Sequence, residues 1–247
     1  MDYKIAIPTY LRYEKLKNKT LNLLKKNNID LSKIFIFVAN EDEYNKYKSV
    51  IGDEYNIIIG ELGITNQRNF ISNFFNEGEM IVSLDDDISE IIELVDNEFK
   101  NKNNLNQFFK DSFKNIKDHN CYIWGVYSIY NKGFMLKNKN ISYDLKFIIG
   151  SLYGFIVRKD NDLKLNISAE GKEDIEQSIL YFIKDKIVMR YNRITFKTKR
   201  IDEGGLGKDR FLINEKASKY LLDTYPDMVR PYKRKNGMCE ITMKKIK

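Results

Sequence analysis

Three consecutive carboxylates, Asp85-Asp86-Asp87, close the apolar run Met80-Ile-Val-Ser-Leu84. A short run of this kind ending in charge reads as a buried strand that delivers negative groups to the C-terminal edge of a sheet, where open α/β folds bind ligands. Like charges so close disfavour one another's ionised forms unless water or a cation compensates, and a hard divalent ion with oxygen ligands is the usual remedy. The chemistry expected here is a metal site that also receives a phosphorylated ligand. A plainer role competes with it: Asp87 and Glu90 fit a capping box for a helix beginning at Ile88 (Ile-Ser-Glu-Ile-Ile-Glu-Leu-Val). A cap accounts for Asp87 and leaves Asp85 and Asp86 without a reason.

Other segments carry more polar chemistry than a connection needs. Pro8-Thr9-Tyr10-Leu11-Arg12 offers a rigid turn, a hydroxyl, an aromatic face and a guanidinium, a set suited to clasping a base and its ribose. Gly63-Ile-Thr-Asn-Gln-Arg-Asn69 places Asn66, Arg68 and Asn69 on the opening turn of a helix, where free backbone N–H groups and Arg68 could meet an anion; the alternative is a solvated helix start capped by Thr65. Gly171-Lys-Glu173-Asp174 opens a later helix. There Asp174 either caps with Gln177 or, as a carboxylate kept ionised beside a helix N-terminus, accepts a proton. The glycine-rich segment between Lys199 and Arg210 is either a phosphate-covering lid or a flexible connector, without the spacing of a P-loop.

These residues need elements to hold them at one edge. Lys4–Pro8, Ile34–Ala39, Asn56–Gly60 and Met80–Leu84 read as strands. Helices are expected around Leu16–Leu24, over Glu41–Val50 and over Ile64–Phe75. Strands alternating with helices imply a mostly parallel sheet flanked by helices, with the loops after the strands gathered along one margin. Further on, a helical tract around Asn104–Lys117 precedes strands at Cys121–Ser128 and Phe147–Arg158. Gly150 and Gly154 interrupt the second of these, as where a ligand or another backbone approaches closely. A loop holds Asn131 and Gly133. Trp124, Tyr127 and Tyr153 suit a core, or an aromatic wall for a base. Strands at Ile187–Tyr191 and Thr195–Thr198, a helix at Asn214–Tyr225, and a basic tail with a strand at Cys239–Met243 complete the reading. One continuous domain over 1–247 is expected.

Composition narrows the classes. The 247 residues carry 42 Lys and Arg against 35 Asp and Glu, a formal charge of +7 that suits a polyanionic partner, although a Lys-, Asn- and Ile-rich coding bias produces the same surplus. Cys121 and Cys239 are unpaired in spacing and His119 is the single histidine, which argues against a disulfide framework, a thiolate site or a multi-histidine zinc centre. No run is long enough to span a bilayer and no signal peptide opens the chain, so a cytoplasmic protein without a membrane or obligate protein partner is expected.

Taken in order, Ile7-Pro-Thr-Tyr10, Gly63-Ile-Thr-Asn-Gln-Arg-Asn-Phe-Ile71, Leu84-Asp-Asp-Asp-Ile88, Trp124-Gly, Lys172-Glu-Asp174 and Gly204-Gly-Leu-Gly-Lys208 resemble the TET/JBP-associated glycosyltransferases of phages, a group of GT-A nucleotide-sugar enzymes. The resemblance implies an α/β, Rossmann-like GT-A fold: a nucleotide-sugar-binding half over 1–90, and an acceptor half over 91–247 with a smaller antiparallel region and a basic tail. It implies transfer of a sugar, glucose from UDP-glucose, to a hydroxymethylated pyrimidine in DNA, 5-hydroxymethylcytosine or 5-hydroxymethyluracil, in the cytoplasm of a host cell if phage-encoded. By the same resemblance Pro8, Thr9, Tyr10, Arg12, Asn66, Arg68, Asp85, Asp86 and Lys208 contact the donor, Asp85 and Asp87 hold Mg²⁺ or Mn²⁺, and Asp174 is the base. GT-A enzymes often add a late histidine to the metal; His119 comes too early, leaving Asp202 or water for that place. Rival readings are a polysaccharide, lipid or protein acceptor, a nucleotidyltransferase or nuclease, and a DNA-binding module without activity.

Overall fold

The computed structural model describes residues 2–198, 210–233 and 239–246. Four short apolar strands, β1 (Lys4–Pro8), β2 (Ile34–Val38), β3 (Asn56–Ile59) and β4 (Met80–Leu84), alternate with helices as the hydropathy predicts. α1 (Tyr13–Leu16), a π-helical turn (Lys17–Leu21) and α2 (Asn22–Lys26) follow β1; α3 (Glu41–Ile51) follows β2; α4 (Ile64–Phe74) follows β3. Asn40 starts α3 by accepting from the Glu43 N–H at 3.0 Å, so the chain leaves β2 through a defined cap. β1 pairs in parallel with β2 and β4, and β2 with β3, which sets their C-terminal ends side by side.

The next segment departs from expectation. Residues Ile88 onward form no helix; β5 (Glu90–Val95) and β6 (Glu98–Asn101) make a hairpin instead. Asp96 and Asn97 take positive φ, +51° and +64°, the left-handed pair that a tight two-residue hairpin requires. Ile91 and Ile92 are both buried, one on each face of the strand, where a helix cap at Asp87 has no place.

The chain continues through α5 (Leu105–Asp118), β7 (Ile123–Val126), α6 (Lys132–Leu136), β8 (Ile141–Ser142) and β9 (Leu152–Ile156). Then come α7 (Glu173–Asp185), β10 (Met189–Tyr191), β11 (Ile194–Lys197), α8 (Arg210–Thr224), β12 (Val229–Lys233) and β13 (Cys239–Met243). The expected loop at Asn131 is thus a short helix, capped by the Asn131 side chain. The strand expected from Phe147 begins only at Leu152.

Eight strands form the main sheet in the order β3-β2-β1-β4-β9-β7-β10-β8. β9 runs against β4 and β7, and β8 against β10, while β10 is parallel to β7. One face packs on Leu16, Leu24, Tyr47, Phe109 and Phe113; the other on Ile71, Phe75, Ile148 and Tyr181. Each such side chain, fully buried, contributes about 1.5–3 kcal/mol of transfer free energy. β11, β5 and β6 form a small antiparallel sheet, and β12 with β13 a separate hairpin. Gly154 lies between Val82 and Trp124, and a Cβ there would come within 2.3 Å of the Trp124 Nε1. What approaches this glycine is a core indole, neither ligand nor backbone.

Candidate active site at the carboxyl edge of the sheet

The loops after β1 and β4 meet at the acidic turn. Thr9 Oγ1 donates to Asp86 Oδ2 at 2.7 Å and accepts from the Tyr47 hydroxyl at 2.6 Å, while that same hydroxyl accepts from the Arg12 N–H at 2.9 Å. Arg12 Nη1 lies 3.3 Å from Asp86 Oδ1 and 3.9 Å from Asp87 Oδ2. Between them Leu11 holds φ of +56°, an uncommon conformation for a bulky residue, and its N–H donates to Glu43 Oε2 at 2.9 Å. From below, Thr20 Oγ1 donates to the Asp85 carbonyl at 2.7 Å and accepts from the Ile88 N–H at 3.0 Å. Thr20 sits in the π-helical turn, so that irregularity places the hydroxyl that shapes the acidic turn.

On the other side of the turn the hub is Arg68. Its Nε donates to Glu173 Oε1 (3.2 Å), Nη1 to the Tyr153 hydroxyl (3.1 Å) and Nη2 to the Gly150 carbonyl (3.1 Å), with Asp85 Oδ1 3.9 Å from Nη2. Asp174 Oδ2 accepts from the Gly150 N–H at 3.2 Å. Gly150 is required here: a Cβ would lie 2.4 Å from Arg68 Nη2 and 3.3 Å from the Asp174 Cβ. Desolvation in this crowded corner pushes the Asp85 carboxyl up to about 6 against the pull of Arg68. Burial also raises Glu173, reinforced by Asp174, and raises Asp174 itself. For Asp174 burial therefore outweighs the helix-end field that was expected to keep it fully ionised. A carboxylate with a raised pKa is the better proton acceptor.

The edge thus gathers Pro8, Thr9, Tyr10, Arg12, Arg68, Asp85, Asp86, Asp87 and Asp174, carried on the loops after β1 and β4, on α4 and on the first turn of α7. Tyr10 is exposed and Pro8 is buried as the last residue of β1. Arg12 Nε is buried without a hydrogen-bond partner, a donor left over for something else.

Several expectations at α4 and α7 need correction. The α4 N-terminus is not free: Glu170 Oε1 and Oε2 accept from the Ile64 and Thr65 N–H groups, both at 3.0 Å. Gly63, at φ +90°, precedes the first turn, and Thr65 Oγ1 is buried without a partner, so Thr65 is not the cap. Arg68 meets internal anions beneath the edge and is itself buried. Asn66 Nδ2 turns back to the Leu62 carbonyl at 3.2 Å, and Asn69 clamps Leu165 through both its amide atoms. Asp174 caps nothing with Gln177; Lys172 holds the cap position without a side-chain bond to the helix, and Gln177 faces the Tyr153 hydroxyl.

His119 stacks on Tyr143 at the end of α5 and has no part in the cluster. Lys208 and Asp202 lie outside the described residues. Trp124 is core, whereas Tyr153 is core with its hydroxyl in the site. Tyr47, Thr20 and Glu170 escaped sequence reasoning because each acts across a long separation.

Among the described residues no three His, Cys, Asp or Glu side chains converge as a ready metal shell. The donor set nevertheless fits a hard cation in part. Asp85 keeps 32% and Asp87 14% of its side chain exposed on the same turn, so ligand oxygens and water would complete such a shell. Among those residues, too, no helix is long and apolar enough to cross a membrane.

The fold has counterparts of known structure. Glucosyl-3-phosphoglycerate synthase from Mycobacterium tuberculosis, in complex with Mn²⁺, UDP and phosphoglyceric acid, is similar at 8% identity over 99% of this chain and 87% of that one, with a TM-score of 0.51. The same enzyme with Mn²⁺, UDP-glucose and phosphoglyceric acid is similar at 8% identity over 97% and 86%, with a TM-score of 0.50. At such identity the likeness is one of fold, and the fold is GT-A, that of the nucleotide-sugar transferases. The sequence matches no curated protein. The profile of the TET-associated glycosyltransferase family matches residues 3–206, and the chain belongs to that family. It is a glycosyltransferase.

Proposed function

We propose that this enzyme moves a sugar, glucose from UDP-glucose, onto the hydroxymethyl group of 5-hydroxymethylcytosine or 5-hydroxymethyluracil in DNA. The observation that carries the reading is the meeting of Asp85, Asp87, Arg68 and Asp174 at one sheet edge in a chain of this family. Residues 1–90 hold the donor and 91–247 the acceptor. Pro8, Thr9, Tyr10 and Arg12, with Asp86 behind them, form the wall for the nucleoside, and the unpartnered Arg12 Nε faces a donor oxygen. Asn66 lines the neighbouring rim, and Lys208, by its place in the glycine-rich motif, covers the diphosphate.

Asp85 and Asp87 are the residues to hold Mg²⁺ or Mn²⁺, which when bound stabilises charge on the departing diphosphate. Arg68 holds Asp85, Glu173 and Gly150 in register from beneath. Asp174 takes the proton of the acceptor hydroxyl as its oxygen bonds to the anomeric carbon, and the bond from that carbon to the diphosphate oxygen breaks to release UDP. The net charge of +7 suits a nucleic-acid acceptor.

The test is mass spectrometry of nucleosides from hydroxymethylated DNA incubated with the enzyme, Mg²⁺ or Mn²⁺, and a panel of sugar nucleotides. A hexose-sized gain that needs both donor and cation is the expected result. Unchanged nucleosides with every donor, or DNA shortened in Mg²⁺ without any donor, would overturn the reading.

A further inference from the structure

The family match ends at residue 206, yet the chain continues into α8, β12 and β13. This C-terminal unit is fastened to the beginning of α7. Glu176 Oε1 accepts from the Tyr220 hydroxyl at 2.7 Å and the Tyr225 hydroxyl at 3.3 Å, while Val229 and Ile241 bury with Leu221, Ala169 and Ile179. Lys172 Nζ meets Glu240 Oε2 at 2.7 Å, both side chains being largely buried, and Lys172 stands two residues before Asp174. The hairpin is therefore anchored at the N-terminus of the helix that carries Asp174.

Val229 and Ile241 are buried, with Met243 packed against their cluster; across the hairpin Arg230 pairs with Thr242 and Tyr232 with Glu240, whose carboxylate turns back to Lys172. Arg230, Tyr232, Glu240, Ile241 and Thr242 line an open, mostly polar recess of about 360 Å³. Tyr232 is 57% exposed, and Arg230 is exposed beside it without an ion pair among the described residues. Between Val229 and Lys247 the sequence has seven Lys or Arg and a single acid, Glu240, which Lys172 already neutralises. An open aromatic face beside an exposed guanidinium, in a stretch with a surplus of basic residues, is the combination that binds nucleic acid, by stacking on a base and by meeting phosphates.

We propose that the β12–β13 hairpin docks the acceptor nucleic acid next to Asp174, with Tyr232 stacking on a base and Arg230 meeting a backbone phosphate. This rests on the reading of DNA as acceptor. The test measures fluorescence anisotropy of the full-length protein with a hydroxymethylcytosine oligonucleotide, single-stranded and duplex, across a salt series. Tyr232→Ala, Arg230→Ala and the charge control Lys25→Ala, on the exposed side of α2, are compared, with melting curves to show that each is folded.

Tyr232→Ala is expected to weaken binding by roughly 5- to 100-fold, as for the loss of one stacked base. Arg230→Ala should lower the log–log salt slope by about 0.7–0.9, as for one lost phosphate contact. Affinities and slopes that match Lys25→Ala would overturn the proposal, as would heparin competing equally with DNA on the wild type and on Tyr232→Ala. Hairpin-dependent binding without hexose transfer to any DNA supports the docking surface and removes the DNA-glycosylation reading. Transfer that proceeds with the same KM for DNA in both variants keeps that reading and removes the docking surface.

Discussion

Burial raises the carboxyl pKa on both flanks of the acidic turn, and the two flanks meet it with different partners. On the Thr9 flank, Asp86 has one oxygen on Thr9 and the other facing Arg12, and Tyr47 and Glu43 tie down the same loop. On the Arg68 flank, Asp85, Glu173 and Asp174 surround a single guanidinium, and burial raises the pKa of all three. One flank is tied down by its own hydrogen bonds. On the other, three carboxylates share one guanidinium, an excess of negative charge that the proposed cation would balance.

Breaking the acidic flank at its proposed base should have the largest effect. Asp174→Asn removes the proton acceptor and keeps the Gly150 contact, so transfer is expected to fall about 10²–10⁴-fold with donor binding retained. Normal transfer by this variant would place the base elsewhere. Next in size is Arg68→Met, which leaves Glu173 and Asp85 without their cation; denaturant titration should register a loss of about 3–5 kcal/mol. A smaller loss would show that those carboxylates simply take up protons. On the Thr9 flank, Asp86→Ala strands the Thr9 hydroxyl and Arg12, and the same titration should lose about 1–3 kcal/mol.

The subtlest effect is one of pH. The folded-state pKa of Asp85 stands at about 6, above its ordinary 3.8, so the folded protein binds that proton more tightly than the unfolded chain. Its contribution to stability is fully present below 3.8 and is lost as pH rises through about 6. In the presence of a chelator, the stability of the wild type relative to Asp85→Asn should therefore increase on acidification across that window. A difference that stays flat with pH would mean that the Asp85 carboxyl is not shifted.

Much of the Thr9 flank was legible in the sequence, because its strands are continuous apolar runs ending in Pro8, Ala39 and Asp85, and its helices carry regular apolar stripes. The acidic turn was legible for the same reason. The stretch after it was not: Ile88 to Val95 has a helix-like spacing of apolar residues, and tertiary pairing with β11 decided for a strand. The Asp96-Asn97 pair was the local hint of that hairpin. β12 went unread because Pro231 interrupts it, which a two-stranded hairpin tolerates since only one side of the strand is paired. The partnership of Arg68 with Glu173, 105 residues away, and the capture of the α4 N-terminus by Glu170, 106 residues from Ile64, leave no periodic trace at all.

The contrast between the flanks can be measured directly with Mn²⁺ as a paramagnetic probe, titrated in the presence of UDP and read as water-proton relaxation enhancement. Wild type should bind Mn²⁺, Asp86→Asn should bind it with similar affinity if folded, and Asp85→Asn and Asp87→Ala should lose it. Undiminished Mn²⁺ binding by Asp85→Asn and Asp87→Ala would contradict the assignment of this sheet edge as the donor–metal site.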